Sequence, residues 1–339
     1  MKDLVKNTMV FSKKNTMRKL VGLFALSASC LAFASTATYP TEPITLIIPA
    51  TPGGLSDTVG RMVADELRKA LDQTVIVENQ TGASGMLAAR NLSRAKPDGH
   101  TLGIGYTAFL TAPVVGSSGI EYDPVKDFSP ITQLADSVAV FIVNSDSPIK
   151  SWEMVEQASS NGKGKFSVGI PGYGSSPHFY AKAIADEKEL DFNFIPYRGE
   201  APIMTDVLGG VLDMAIVTPL VSKKMIEADR VRPLAISNPK RSPALPDVRT
   251  IGEMGLPTLG DASTWIGVFA PANTPDPIVK NLSEILQTMM QKPDVRQKFI
   301  KEFGMTPVGS TNIEFAAMLE RDYINWKEAR DKYQITIEQ

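Results

Sequence analysis

Side chains able to do chemistry are sparse in this chain, and their spacing limits what they can do. His100 and His178 are the only histidines, and Cys30 is the only cysteine. Neither histidine has a second histidine or a cysteine at ligand spacing, so no metal site is expected. Ser175 and Ser176 stand close to His178 and raise the idea of a nucleophile and its base. No Gly-x-Ser-x-Gly elbow surrounds them, and residues two and three apart at a helix start face one another poorly. A phosphate loop needs a lysine after its glycines, yet no Lys or Arg lies in 50–57 or 79–85. Neither Gly53-Gly54 nor Gly172-Tyr173-Gly174 supplies a dinucleotide fingerprint.

What remains is the chemistry of the backbone. Thr51-Pro52-Gly53-Gly54-Leu55-Ser56-Asp57 and Glu78-Asn79-Gln80-Thr81-Gly82-Ala83-Ser84-Gly85 are two small-residue loops, each ahead of a helix. N–H groups at helix starts favour a small anion. Asp57 reads either as a helix cap or as a carboxylate that receives an amino or hydroxyl group of a ligand. Arg198 reads as a solvated charge or as a bidentate partner for a second carboxylate. Trp265 reads as core or hinge packing before it reads as a stacking surface.

The elements that must position these loops follow from periodicity. Ile44 to Ile48 is a buried strand stopped by Pro49 and Pro52. Val59, Met62, Val63, Leu67 and Leu71 then mark one face of a helix. A strand at Thr74–Val77, a helix at Met86–Ala95 and a strand at Thr101–Tyr106 complete a βαβαβ unit, in which ligands sit at strand ends. Phe109 to Ser118 reads as a loop or short helix, and Glu121 to Pro130 as an irregular connector. Strands are expected at 131–134 and 138–143, the second crossing into another lobe. The same grammar repeats: helix 152–159, strand 166–170, helix 177–187, strand 192–197, helix 203–208, strand 212–217, a helix after Pro219, and strand 232–237. Thr264–Ala270 is a strand able to cross back, followed by helices at 275–291, 293–303 and 312–333. The fold class expected is α/β, with residues 35–140 plus 264–339 in one lobe and 141–263 in the other. Two strands would join the lobes around a hinged cleft.

Residues 1–34 stand apart. Arg18-Lys19 precede an apolar run from Leu20 to Ala34 with a small-x-small site at Ala32-Phe33-Ala34, the pattern of a secretory signal peptide. Met17 is an alternative start. Removing this stretch leaves 29 bases against 36 acids, a net charge of −7 rather than −2. Such an acidic, exported chain is a poor partner for nucleic acid or an anionic membrane. Cys30 falls within the leader, so no disulfide or thiol chemistry is expected afterwards. The bulky residue usual three positions before a lipid-bearing cysteine is missing there, which argues against an anchor.

The motifs taken together resemble the Bug-type substrate-binding proteins of tripartite tricarboxylate transporters. They include Pro52-Gly53-Gly54-Leu55-Ser56-Asp57 with Arg61, Val77-Glu78-Asn79, Gly82-Ala83-Ser84-Gly85 and Pro97-Asp98-Gly99-His100. Further along come Gly174-Ser175-Ser176-Pro177-His178, Pro196-Tyr197-Arg198-Gly199-Glu200-Ala201-Pro202, Asp206-Val207-Leu208-Gly209-Gly210 and Trp265-Ile266-Gly267. The resemblance implies a type II periplasmic-binding-protein-like fold that closes on a small carboxylate and passes it to membrane transporter subunits. It implies no enzyme activity, no cofactor and a monomer. Carried over position by position, the ligand-binding residues are Thr51, Gly53, Gly54, Asp57, Ser84 and Thr107 in the first lobe. In the second they are Ser175, Ser176, Gly199, Glu200 and Thr218. A membrane-receptor sensor is the alternative role, and an α/β hydrolase a more distant one. Ala50 and Tyr173 depart from the family pattern and bear on the ligand's size and polarity.

Overall fold

The computed structural model describes residues 39–82, 85–116, 121–160, 165–259 and 264–336. The expected signal peptide and Ser84 lie outside them. Among the described residues, eleven strands divide into two sheets. The first holds β1 (Ile44–Ile48), β2 (Val75–Asn79), β3 (Thr101–Tyr106), β4 (Phe128–Ser137), β10 (Thr264–Pro271) and β11 (Thr306–Pro307), in the order β11-β4-β10-β3-β1-β2. The second holds β5 (Val140–Asn144), β6 (Phe166–Ile170), β7 (Phe192–Pro196), β8 (Met214–Val217) and β9 (Val231–Ile236), in the order β7-β6-β8-β5-β9.

The βαβαβ grammar gives parallel pairing where the sequence placed it. β1 runs parallel to β2 and to β3, with helix α1 (Leu55–Leu71) between the first two strands and α2 (Met86–Ser93) between β2 and β3. β6 runs parallel to β7 and β8. In contrast, β10 enters antiparallel between β3 and β4, so the first sheet is mixed. The two strands expected at 131–134 and 138–143 are a ten-residue β4 and a separate β5. β4 begins at Phe128, inside the stretch read as a connector, because pairing with β10 supplies ladder bonds that local composition does not signal.

Of the face expected for α1, Val59, Val63 and Leu67 are buried, with Ala64 beside them, while Met62 and Leu71 are half-buried at its margins. Helix α3 (Ala108–Val114) forms in the stretch left between loop and helix. In the second half, α4 (Trp152–Ser160), α5 (Ser176–Glu187), α6 (Glu200–Leu208) and α7 (Pro219–Glu227) alternate with the strands. Three helices close the chain: α8 (Asp276–Gln291), α9 (Pro293–Lys301) and α10 (Asn312–Tyr333). Thr311 and Glu314 start α10 with reciprocal side-chain and backbone hydrogen bonds, a capping box. Trp326 of α10 lies edge-on to Phe179 and Tyr180 of α5, with ring centroids at 5.0 and 5.9 Å. The C-terminal helix thus ties the second sheet's α5 to the first sheet's β4, against which α10 also packs.

Candidate functional site

The strand ends of both sheets and the first turns of α3, α5 and α6 surround a cleft of about 790 Å³. Six of the eleven residues expected to bind ligand meet there: Thr107, Ser175, Ser176, Gly199, Glu200 and Thr218. Hydrogen bonds hold Thr107, Ser175, Ser176, Glu200 and Thr218 in place. Thr107 precedes α3, and its Oγ1 accepts the Trp265 backbone N–H at 2.8 Å, fixing α3 to the start of β10. Ser176 Oγ and Thr264 Oγ1 lie 3.0 Å apart, linking α5 to the same strand end. Ser175 caps α5 by accepting the His178 N–H, and its hydroxyl donates to the Gly172 carbonyl at 2.7 Å. Gly174 has φ of +73°, and an added Cβ would come within 2.7 Å of Val115 Cγ2. Glycine therefore permits both the turn and the close approach of this loop to the end of α3.

His178 completes the loop from below. It is buried, and its Nδ1 accepts the Gly174 N–H at 3.1 Å. The ring stands edge-on to Tyr173 and Phe194. Burial, reinforced by the nearby Lys182 charge, lowers its pKa to about 4, so the imidazole is neutral at ordinary pH. With Nδ1 bonded to a backbone donor, His178 does not serve as base to the Ser175 hydroxyl, which is spent on Gly172. The serine–histidine arrangement raised by the sequence is a loop lock.

Glu200 and Thr218 join the next two loops. Glu200 opens α6, and its carboxylate accepts both the Thr218 N–H (2.9 Å) and the Thr218 hydroxyl (2.6 Å). Burial raises the Glu200 pKa above its ordinary value, while the two Thr218 bonds act the other way. Arg198, two residues earlier, also lines the cleft and is the one cationic side chain that does so among the described residues.

The glycine loop after β1 is placed differently. Thr51, Gly53, Gly54 and Asp57 do not line the cleft. Gly54, not Asp57, stands at the N-cap of α1 and makes no side-chain cap bond. Asp57 reaches back from the first turn instead. Its carboxylate accepts from Gly53 N–H (2.9 Å), Arg61 Nε (3.0 Å) and Asn79 Nδ2 (2.9 Å), with only 4% of the side chain exposed. Asn79 also donates to the Ala50 carbonyl. Asp57 is therefore the internal tie of the loop. The Arg61 bond, helped by Gly53 and Asn79, outweighs burial and holds its pKa down to about 2. Asp57→Ala should cost about 1–3 kcal/mol in urea unfolding, because the loop loses three hydrogen bonds to a buried charged acceptor. That stability is fully present above pH 3.8 and should fade as pH drops toward 2. The loop after β2 borders the cleft through its neighbours. Met86 lines it, and a Cβ at Gly85 would fall 2.7 Å from the hydroxyl of Tyr106, another lining residue.

Sequence reasoning missed most of the walls. Ala108, Thr111, Ala112 and Val115 line the cleft with Val138, Ala139 and Thr264. The first four are spaced i, i+3, i+4 and i+7, a helical face that was there to be read. Trp265 is buried against Phe269 and Phe315, the packing role expected of it. Among the described residues, one group could bring metal-ligand atoms together, Glu42, Asp98 and His100, with all three within 4.8 Å of one another. It lies away from the cleft, and Asp98 already accepts the His100 backbone N–H. No described helix is long and apolar enough to cross a membrane.

Comparison with known proteins bears on the fold and the family. Protein BugT of Bordetella pertussis is 29% identical over 311 residues, covering 91% of this chain and 94% of BugT. A solved R. palustris protein with adipate superposes with a TM-score of 0.77 at 27% identity, covering 88% of this chain and 99% of its own. MatC from Rhodopseudomonas palustris with bound malate gives a TM-score of 0.72 at 27% identity, covering 86% and 99%. The model of the tripartite tricarboxylate transporter family receptor matches residues 59–333. With two α/β sheets of periplasmic-binding-protein type and a cleft at their strand ends, this chain belongs to the tripartite tricarboxylate transporter receptor family, the Bug-type solute-binding proteins.

Proposed function

We propose that this protein is an extracytoplasmic receptor that captures a small organic acid in its cleft and presents it to the membrane subunits of a tripartite transporter. The observation that carries the reading is the convergence of Thr107, Ser175, Ser176, Gly199, Glu200 and Thr218 on one cleft with Arg198 at its wall. Similar proteins hold adipate and malate, both small carboxylates, which supports the ligand class. Export directed by residues 1–34 would place the receptor in the periplasm as a monomer. The lobes would be 35–140 plus 264–339 and 141–263, meeting at the cleft, with the loops around Thr51, Gly53, Gly54, Asp57 and Ser84 contributing as it closes. Function is then a population shift: ligand favours the closed form, and the transporter reads it. No bond is made or broken.

The test is thermal unfolding against a panel of carboxylates, after denaturation and refolding to strip bound ligand. A ligand at about 1,000 times its dissociation constant stabilises by about 4 kcal/mol. At roughly 2–4 °C per kcal/mol the midpoint should rise on the order of 10 °C. Ala108→Phe places a ring in the cleft from a half-buried position at the start of α3. It should abolish the shift while leaving the unliganded midpoint nearly unchanged. No shift with any acid would sink the reading.

A further inference from the structure

Glu200 is a poor neighbour for a ligand that is only an anion. Its two oxygens each accept one hydrogen bond, both from Thr218, and no cationic side chain is paired with it among the described residues. An ionised carboxylate has about four acceptor positions, so roughly two remain. They belong to a half-buried group in the cleft wall, where burial already works against the charged form. A half-buried carboxylate is stabilised by a further donor and penalised by a second anion. Arg198 offers the opposite chemistry from the same loop. It is exposed, lines the cleft and makes no ion pair among the described residues. Gly199 between them has φ of +104°, a backbone conformation that favours glycine, and both neighbours line the cleft.

We propose that Glu200 makes this receptor selective for acids that also carry a hydrogen-bond donor, an ammonium or a hydroxyl group, with Arg198 receiving a carboxylate of the same ligand. The proposal rests on the carboxylate-receptor reading above and narrows it. The donor completes the Glu200 acceptors, and a plain acid leaves them unfilled. A plain diacid reaching Glu200 would have to carry a proton there.

Titration calorimetry on the whole protein with matched probes tests this. Succinate, malate and aspartate share a four-carbon diacid frame; glutarate, 2-hydroxyglutarate and glutamate share the five-carbon one; propionate, lactate and alanine share a three-carbon monoacid frame. In the frame that binds, donor-bearing members should bind at least tenfold more tightly than the plain acid. Glu200→Gln keeps a carbonyl oxygen for Thr218 and removes the charge. In that variant an ammonium ligand should lose at least tenfold, a hydroxyl ligand should lose little, and the plain acid should bind as well or better. The two donor sources are thereby separated. A plain acid that binds the unmodified protein as tightly as its donor-bearing partners overturns the role of Glu200 while the carboxylate receptor stands. That comparison needs no variant to fold. Failure of every probe to bind overturns both.

Discussion

Replacing Trp326 by alanine is expected to lower stability by about 3–5 kcal/mol, the range for deleting a buried large aromatic side chain. Trp326 is fully buried and meets Phe179 and Tyr180 edge-on from the opposite helix. Tyr333 and Lys332, one turn or more along α10, both reach Glu187 at the far end of α5, so the tryptophan sits within a longer seam. Removing it opens a cavity at the centre of that seam, where neighbouring rings cannot collapse without shifting α5. The melting midpoint should fall by roughly 6–20 °C at about 2–4 °C per kcal/mol. The indole N–H finds no acceptor among the described residues, so the side chain contributes through packing. Trp326→Phe, which retains most of the ring volume and removes that unpaired donor, should therefore cost less than half as much. Because α5 begins at the cleft with Ser175 and Ser176, the alanine variant should also weaken ligand binding. Equal midpoints for the alanine and phenylalanine variants would show that the seam does not depend on this ring.

The alternation of apolar runs with glycine loops made the architecture legible. Ile44–Ile48, Phe166–Ile170 and Phe192–Pro196 all announced themselves as short apolar strands, and all three pair in parallel. Local pattern could not show how β10 inserts. Its antiparallel place between β3 and β4 is a choice among distant partners, made by shared burial of residues such as Leu134, Ile104 and Val268. The two-residue β11 was invisible for the same reason, since only its pairing with Asp136 and Ala135 defines it.

At the site, the second sheet's loops that the sequence singled out line the cleft, because glycine, serine and proline cluster where a chain must turn and start a helix. The loop after β1 stands outside the cleft lining, and its first donor is already occupied. Gly53 and Gly54 advertise open backbone donors, yet the carboxylate four residues on takes the Gly53 N–H. An acid in the first turn of a helix serves an internal donor as readily as an external one, and composition does not distinguish them. The apolar walls were missed because alanine and valine carry no chemistry of their own; only the helical spacing of Ala108, Thr111, Ala112 and Val115 marks them.

Acidification through the range in which histidine titrates should weaken both the fold and the cleft through His178. Its folded-state pKa of about 4 lies below the unfolded value of 6.5. Between these values the unfolded chain binds the proton that the folded chain refuses, so stability rises with pH across that window. The contribution is complete above pH 6.5 and falls by up to about 3 kcal/mol as pH drops to 4. Asp57, with its pKa near 2, acts only below its unfolded value of 3.8, so the two effects occupy different windows. His178→Asn is the informative variant. Its side-chain oxygen can stand where Nδ1 accepts the Gly174 N–H, and it does not titrate. Urea unfolding at pH 7, 6, 5 and 4 should show a gap between the two proteins that changes by about 1.4 kcal/mol per pH unit in the middle of the window. Protonating Nδ1 also removes the acceptor that holds Gly174, and Gly172 to Ser175 form one wall of the cleft. Ligand affinity of the unmodified protein should accordingly fall across the same pH range more than that of His178→Asn. Parallel pH profiles for the two proteins would mean that this loop is held by its packing on Tyr173 and Val115 and that the histidine's neutrality is incidental.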